Sequence, residues 1–167
     1  VAGDRFDEAI IKYLRKHHNL YIGERTAEQL KIKIGTAYPR EEAISVECKG
    51  RDLVTGLPKT IKVTSEELME ALDEPLTIIC ESVHNVLEKT PPELAADISR
   101  EGIVLCGGGA LIFGMEQLLS ERLGAPVTLV EDPLCGAVRG TGKALSDLKV
   151  LRNGNYRFRT LKDLVIE

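Results

Sequence analysis

The chain has 167 residues, 22 of them basic and 26 acidic for a net charge of -4, with 43% hydrophobic and 29% charged side chains. That is the composition of one ordinary globular domain or a pair of small lobes, and it excludes a disordered tail, a collagen-like repeat and a disulfide-dense mini-scaffold. The acidic balance gives no general attraction to nucleic acid or anionic lipid, and no apolar run approaches the ~18–20 residues that span a bilayer.

The first element is an amphipathic helix. Phe6, Ala9, Ile10, Tyr13 and Leu14 fall at helical spacing, Asp4 stands where an N-cap belongs, and Asp7 and Glu8 put negative charge at the positive end. A second helix follows Leu20-Tyr21-Ile22-Gly23, with Thr26 and Gln29 at capping-box spacing and Gly35 at its C-terminal stop. The period then changes to two: Ile44, Val46 and Cys48 alternate with polar residues, as do Ile61 and Val63. With a loop from Gly50 to Pro58 between them, these predict an antiparallel hairpin with a long connection. Thr64 and Glu67 make a capping box that opens a helix to about Lys89, kinked at Pro75, and Pro92 starts a shorter helix.

The last third is α/β in character. Ile103 to Cys106 reads as a buried parallel strand, Gly107-Gly108-Gly109 as its exit, and Met115, Leu118, Leu119 and Leu123 as the stripe of the helix after it. Pro126 to Val130 predicts a second strand, and Asp132-Pro133 the start of a helix through Leu145, with Gly136 and Gly140 marking close packing on the sheet. Lys149, Arg152, Arg157, Arg159 and Lys162 give residues 148–167 the character of a basic tail. Cys48, Cys80, Cys106 and Cys135 show no metal or redox spacing and read as reduced, mostly buried thiols.

Two groups of residues can carry chemistry. Gly107-Gly108-Gly109-Ala110 between strand and helix lets a nucleotide approach the backbone with no Cβ in the way, and aims the helix's N–H groups at it. The same triplet also suits a tight turn that needs positive φ, and it matches neither the P-loop nor the dinucleotide fingerprint. Glu28 and Lys31, three apart on one helix face, offer a carboxylate for ribose hydroxyls and a stem for an adenine face. They serve equally as a solvated ion pair. Gly3 leaves room for a phosphate, and Asp132-Pro133-Leu134 needs no role beyond starting a helix.

Together these segments resemble a family. Ala2-Gly3-Asp4-Arg5-Phe6-Asp7-Glu8-Ala9-Ile10 is similar to the G-G-D-x-F-D-x-A-I segment of the bacterial actin homologues MreB and Mbl. Ile22 to Glu28, Thr90-Pro91-Pro92-Glu93-Leu94, Leu105 to Leu111 and Glu131-Asp132-Pro133-Leu134 resemble that family's segments in its order, so the likeness covers about residues 1–147. Ala2 stands where the family has Gly, and Cys106 and Cys135 where it usually has Thr.

The resemblance implies an α/β fold: an actin-like (ribonuclease H-like) ATPase lobe, incomplete, with a small inserted α+β subdomain. Residues 1–19 and 90–147 would form the nucleotide-facing part and 20–89 the insert. It implies adenosine held by Glu28, Gln29, Leu30 and Lys31 on one side and Gly107, Gly108, Gly109, Ala110 and Leu111 on the other. It implies ATP as cofactor, with Mg²⁺ and the phosphate loops held by a first half that Val1 follows. It implies self-association into filaments that organise cell-wall synthesis and rod shape, in the bacterial cytoplasm at the inner face of the membrane. A RodZ-type membrane partner goes with that reading. No catalytic or metal-ligating residue is expected in this chain, which alone should bind nucleotide weakly and not hydrolyse it. The rival readings are a lobe of a sugar kinase or chaperone ATPase, and a non-catalytic assembly module.

Overall fold

The computed structural model describes residues 3–146, and the predicted basic tail lies outside them. Helix α1 (Gly3–His18) buries Phe6, Ile10 and Leu14 along one stripe, as its period requires. Asp4 sits within its first turn rather than capping it from outside.

The short strand β1 (Leu20–Tyr21) follows and pairs antiparallel with β2 (Ser45–Asp52), which pairs antiparallel with β3 (Pro58–Thr64). The hairpin is longer than its sequence pattern suggests. Gly50, Arg51 and Asp52 are paired, opposite Lys59, Pro58 and Leu20 respectively, and only residues 53–57 remain to turn the chain. Gly50 permits this, because a Cβ there would stand 2.5 Å from the Tyr21 carbonyl oxygen and push β1 away. Cys48 and Val63 face the core while Ile44 stays 40% exposed.

Helix α2 (Glu24–Ile34) starts one turn earlier than the Thr26–Gln29 spacing predicts. Gly23 is its N-cap, and the Gly23 carbonyl accepts from the Thr26 and Ala27 amides. Gly35 ends the helix with a negative φ of -55° rather than in a left-handed turn. A glycine is required there for proximity, since a Cβ would fall 2.2 Å from the Lys31 carbonyl oxygen.

Helix α3 (Ser65–Glu88) opens with the predicted capping box. The Thr64 hydroxyl accepts from the Glu67 amide at 3.3 Å and the Glu67 carboxylate accepts from the Thr64 amide at 2.8 Å. Pro75 is buried inside a helix assigned without interruption. Helix α4 (Pro92–Glu101) begins on a proline, where a missing N–H costs nothing.

Strands β4 (Ile103–Leu105) and β5 (Val127–Leu129) pair in parallel, joined through helix α5 (Met115–Leu123). Their sheet has two strands among the described residues, and β4 is not the buried strand that its composition suggests: Ile103 and Leu105 pack against the core, whereas Val104 on the opposite face is 65% exposed. Helix α6 (Gly136–Ser146) begins four residues after Asp132. The Asp132 carboxylate instead accepts from the Cys135 amide at 3.3 Å and closes a turn ahead of the helix. A Cβ at Gly136 would make ordinary contact with Cys106 and Val130, whereas Gly140 faces open space and marks no close packing. Cys48 and Cys80 are buried, but Cys106 and Cys135 are exposed, and all four thiols are free.

The core is one cluster in which Ile10 and Leu14 of α1 meet Leu30 and Ile34 of α2, Leu68 and Leu72 of α3, and Leu118 and Leu119 of α5. Leu14 is 0% exposed, so Leu14→Ala leaves a cavity; it is expected to cost about 3 kcal/mol in chemical denaturation. A second expectation concerns Glu67. Part burial pushes its carboxyl up, but the Thr64 amide and hydroxyl and His18, whose Nε2 lies 2.6 Å from Glu67 Oε1, outweigh that and hold it below its ordinary value. A carboxyl lowered by folding stabilises the fold above its unfolded value and loses that contribution as pH falls through its folded value. Glu67→Gln, which can still accept from the Thr64 amide but loses the charge, should therefore cost up to about 1 kcal/mol at neutral pH, with the gap from the parent closing as pH falls through the lowered carboxyl range in urea titrations.

Candidate functional site

The N-terminal turn of α1, the outer face of α2 and the glycine segment after β4 converge on a cleft of about 600 Å³. From α1 come Gly3 and Phe6, and from α2 come Glu28, Lys31 and Ile32. The glycine segment contributes Gly108, Gly109, Leu111 and Ile112, and Leu134 closes the rim. Glu28, Lys31 and Ile32 share this wall because positions i, i+3 and i+4 lie on one helix face.

The glycine segment is built differently from a direct strand-to-helix junction. Gly107 alone of the triplet has positive φ, at 94°, and its amide donates to the Pro133 carbonyl at 2.7 Å. Gly108–Leu111 form a single 3-10 turn, and α5 starts only after Gly114, itself left-handed at φ 76°. The triplet thus aims a short turn, not the α5 dipole, at the cleft. Its glycines still matter. A Cβ on Gly108 would reach 3.4 Å from Leu134 Cδ2, and one on Gly109 would reach 3.9 Å from Phe6, so side chains there would occupy the cleft.

Charge on the α2 wall is unevenly committed. Among the described residues Glu28 is exposed and makes no hydrogen bond or ion pair. Lys31, by contrast, places its Nζ 2.9 Å from the Asp7 carboxylate and 3.2 Å from the Gly3 carbonyl, with only 15% of its side chain exposed. With its ammonium held there, the part of Lys31 left free for a ligand is its aliphatic stem.

Five of the predicted site residues line the cleft: Glu28, Lys31, Gly108, Gly109 and Leu111. Gly107 and Ala110 frame the 3-10 turn without lining it; the Ala110 amide donates to the Gly107 carbonyl. Leu30 is a core residue, 3% exposed, and Gln29 faces a separate depression beside Lys33 and Val46. Phe6, Ile32, Ile112 and Leu134 line the cleft as well, and none of them belongs to the predicted site residues. Ile32 carried a signal in its spacing, since it stands four residues after Glu28 on the same helix face, and it is 74% exposed there.

Another groove, about 720 Å³, lies between α3 and α5 and is more open. Its one cation, Arg122, is occupied by Thr77 at 2.8 Å and Asp73 at 3.3 Å, and no glycine turn reaches it. The glycine-lined cleft combines apolar walls, an unpaired carboxylate and bare backbone, which suits a planar base carrying a hydroxylated sugar. Among the described residues no group of three or more His, Cys, Asp or Glu could hold a metal ion, and no helix is long and apolar enough to cross a membrane.

Comparison with known proteins gives this geometry its context. The sequence profile of the MreB/Mbl protein family matches residues 1–153. The chain is 52% identical over 145 residues to the cell shape-determining protein MreB of Escherichia coli K12, covering 87% of this chain and 42% of that protein. It is 48% identical over 153 residues to the cell shape-determining protein Mbl of Bacillus subtilis, covering 90% and 45%. Among solved structures, MreB 5 of Spiroplasma citri bound to AMPPNP superposes with a TM-score of 0.86 at 40% identity, over 90% of this chain and 45% of that one. The MamK double helical filament superposes at 0.73 with 27% identity, over 87% and 45%. The chain spans less than half the length of each of these relatives. Its fold is that of an actin-like lobe, and the chain belongs to the MreB/Mbl family.

Proposed function

We propose that this chain is the adenosine-holding lobe of a filament-forming cytoskeletal protein that sets rod cell shape by organising cell-wall synthesis. The observation that carries the reading is the cleft in which Glu28, the Lys31 stem and the Gly108-Gly109 backbone face one another. The Glu28 carboxylate accepts hydrogen bonds from the ribose hydroxyls, Ile32 and Leu134 bracket the base, and the bare glycine backbone lets the sugar approach. Solved relatives from Spiroplasma citri bound to AMPPNP and to ADP support nucleotide binding by the parent protein.

The remaining parts of the reading follow the family. Residues 1–19 and 90–147 form the nucleotide-facing part, and 20–89, which hold the three-stranded sheet, form the insert. ATP is the cofactor, and Mg²⁺ and the phosphates are held by the other half of the parent protein. The whole protein works in the cytoplasm at the inner face of the membrane, assembling with copies of itself and docking a RodZ-type membrane partner. The MamK filament supports self-association.

Isothermal titration of the chain with ATP is expected to show weak, saturable binding without phosphate release. Glu28→Ala should weaken it by about tenfold, the worth of hydrogen bonds to a charged acceptor. Binding unchanged by that substitution would remove the adenosine role from the cleft. In sedimentation, the chain alone is expected to show no ATP-dependent assembly; ATP-driven pelleting would contradict a lobe that holds only the adenosine.

A further inference from the structure

Asp7 lies in the second turn of α1 and is 8% exposed, a burial rare for an acid unless it is paired. Its carboxylate points across to α2. Lys31 Nζ stands 2.9 Å from both carboxylate oxygens and donates its hydrogen bond to Oδ2, while the buried Oδ1 has no other partner among the described residues. Among the described residues Lys31 is the one cation paired with Asp7. Gly3 makes room for the arrangement: a Cβ at that position would come within 3.3 Å of the ammonium, whereas the Gly3 carbonyl accepts from it at 3.2 Å.

These contacts constrain what Lys31 can offer a ligand. Drawing its ammonium into the cleft would strand a buried carboxylate without a counter-ion, which is among the costlier changes a folded protein can undergo. We propose that Asp7 is a positioning residue for the cleft: it takes the charge of Lys31 and leaves only the lysine's aliphatic stem to the ligand, so this wall reads a nucleoside rather than a phosphate. The inference rests on the adenosine reading of the cleft given above. It adds that affinity at Lys31 comes from packing and is indifferent to how many phosphates the ligand carries. Glu28, unpaired on the same face, supplies the polar recognition.

The test compares adenosine with ATP as probes of the 167-residue chain and of Asp7→Asn, with folding checked by circular dichroism. In Asp7→Asn the ammonium is released, and the preference for ATP over adenosine should rise by about fivefold at low ionic strength and vanish near 0.5 M salt. Asp7→Glu should restore the parent's salt-insensitive ratio. An Asp7→Asn protein that folds and keeps the parent's ratio overturns the proposal. A purely structural role for Asp7 predicts that outcome, with both affinities falling together.

A second measurement needs neither nucleotide nor variant. Acylation of the native chain by a water-soluble N-hydroxysuccinimide ester, read by mass spectrometry, should label Lys31 at least about tenfold more slowly than Lys12, whose side chain is 78% exposed. Equal rates would show the ammonium free and sink the proposal even if Asp7→Asn does not fold. If the parent binds neither adenosine nor ATP while Lys31 remains protected, the adenosine reading fails and the Asp7 latch on Lys31 stands.

Discussion

Helix α1 is required to be buried on two sides at once, and most of the fold is the means of doing so. Its stripe of Phe6, Ile10 and Leu14 is covered by α2 and α3, with β1 under its C-terminal end. Polar ties fasten the same helix at several levels. The Tyr13 hydroxyl donates to Glu70 at 2.7 Å, His18 meets Glu67, and Asp7 meets Lys31. Burial of Tyr13, followed by its bond to Glu70, pushes its phenol up to about 12, so that tie keeps its proton across any physiological range. The apolar stripe supplies the driving force, and the polar ties fix the rotation of α1 about its own axis.

That rotation decides the site. The first turn of α1 puts Gly3 and Phe6 on the floor of the cleft, and α2 packs beside it with Glu28, Lys31 and Ile32 facing outward. The glycine segment closes the third side without any long helix pointing at it. The cleft is therefore a product of helix packing and one 3-10 turn, and its chemistry lies in a few polar atoms set against apolar walls.

Much of the fold was legible because its signals are local. The period of Phe6, Ile10 and Leu14, the Thr64–Glu67 box and the alternation around Cys48 and Val63 each reside within a few residues, and each formed as the pattern required. The failures share a different origin. Thr26 and Gln29 have the right spacing for a cap, yet Gly23 caps α2 through its carbonyl, a role no side-chain pattern announces. Asp7 read as a dipole charge because its partner is 24 positions away on another helix. Leu30 stands in sequence between Glu28 and Lys31, but helical rotation turns it into the core. Val104 has the composition of a buried strand and is exposed because Ile103 and Leu105 take the core face, and no described element covers the other one. Pairings distant in sequence and the coverage of a face are decided by tertiary packing, where residue type alone carries little information.

The segment from Leu111 to Gly114 has two faces with separate duties. Leu111 and Ile112 wall the cleft, whereas Phe113 forms a parallel bridge with Thr36, accepts from the Ala37 amide at 2.8 Å and lies under the Arg40 guanidinium at 3.7 Å. Gly114 completes the seam, for a Cβ there would stand 2.3 Å from Tyr38 Cβ. Four consecutive residues thus answer both to a ligand on one side and to the chain after α2 on the other. Sequence drift in the wall of the cleft is coupled to the fit at its back, so the two surfaces are expected to change together across relatives rather than independently.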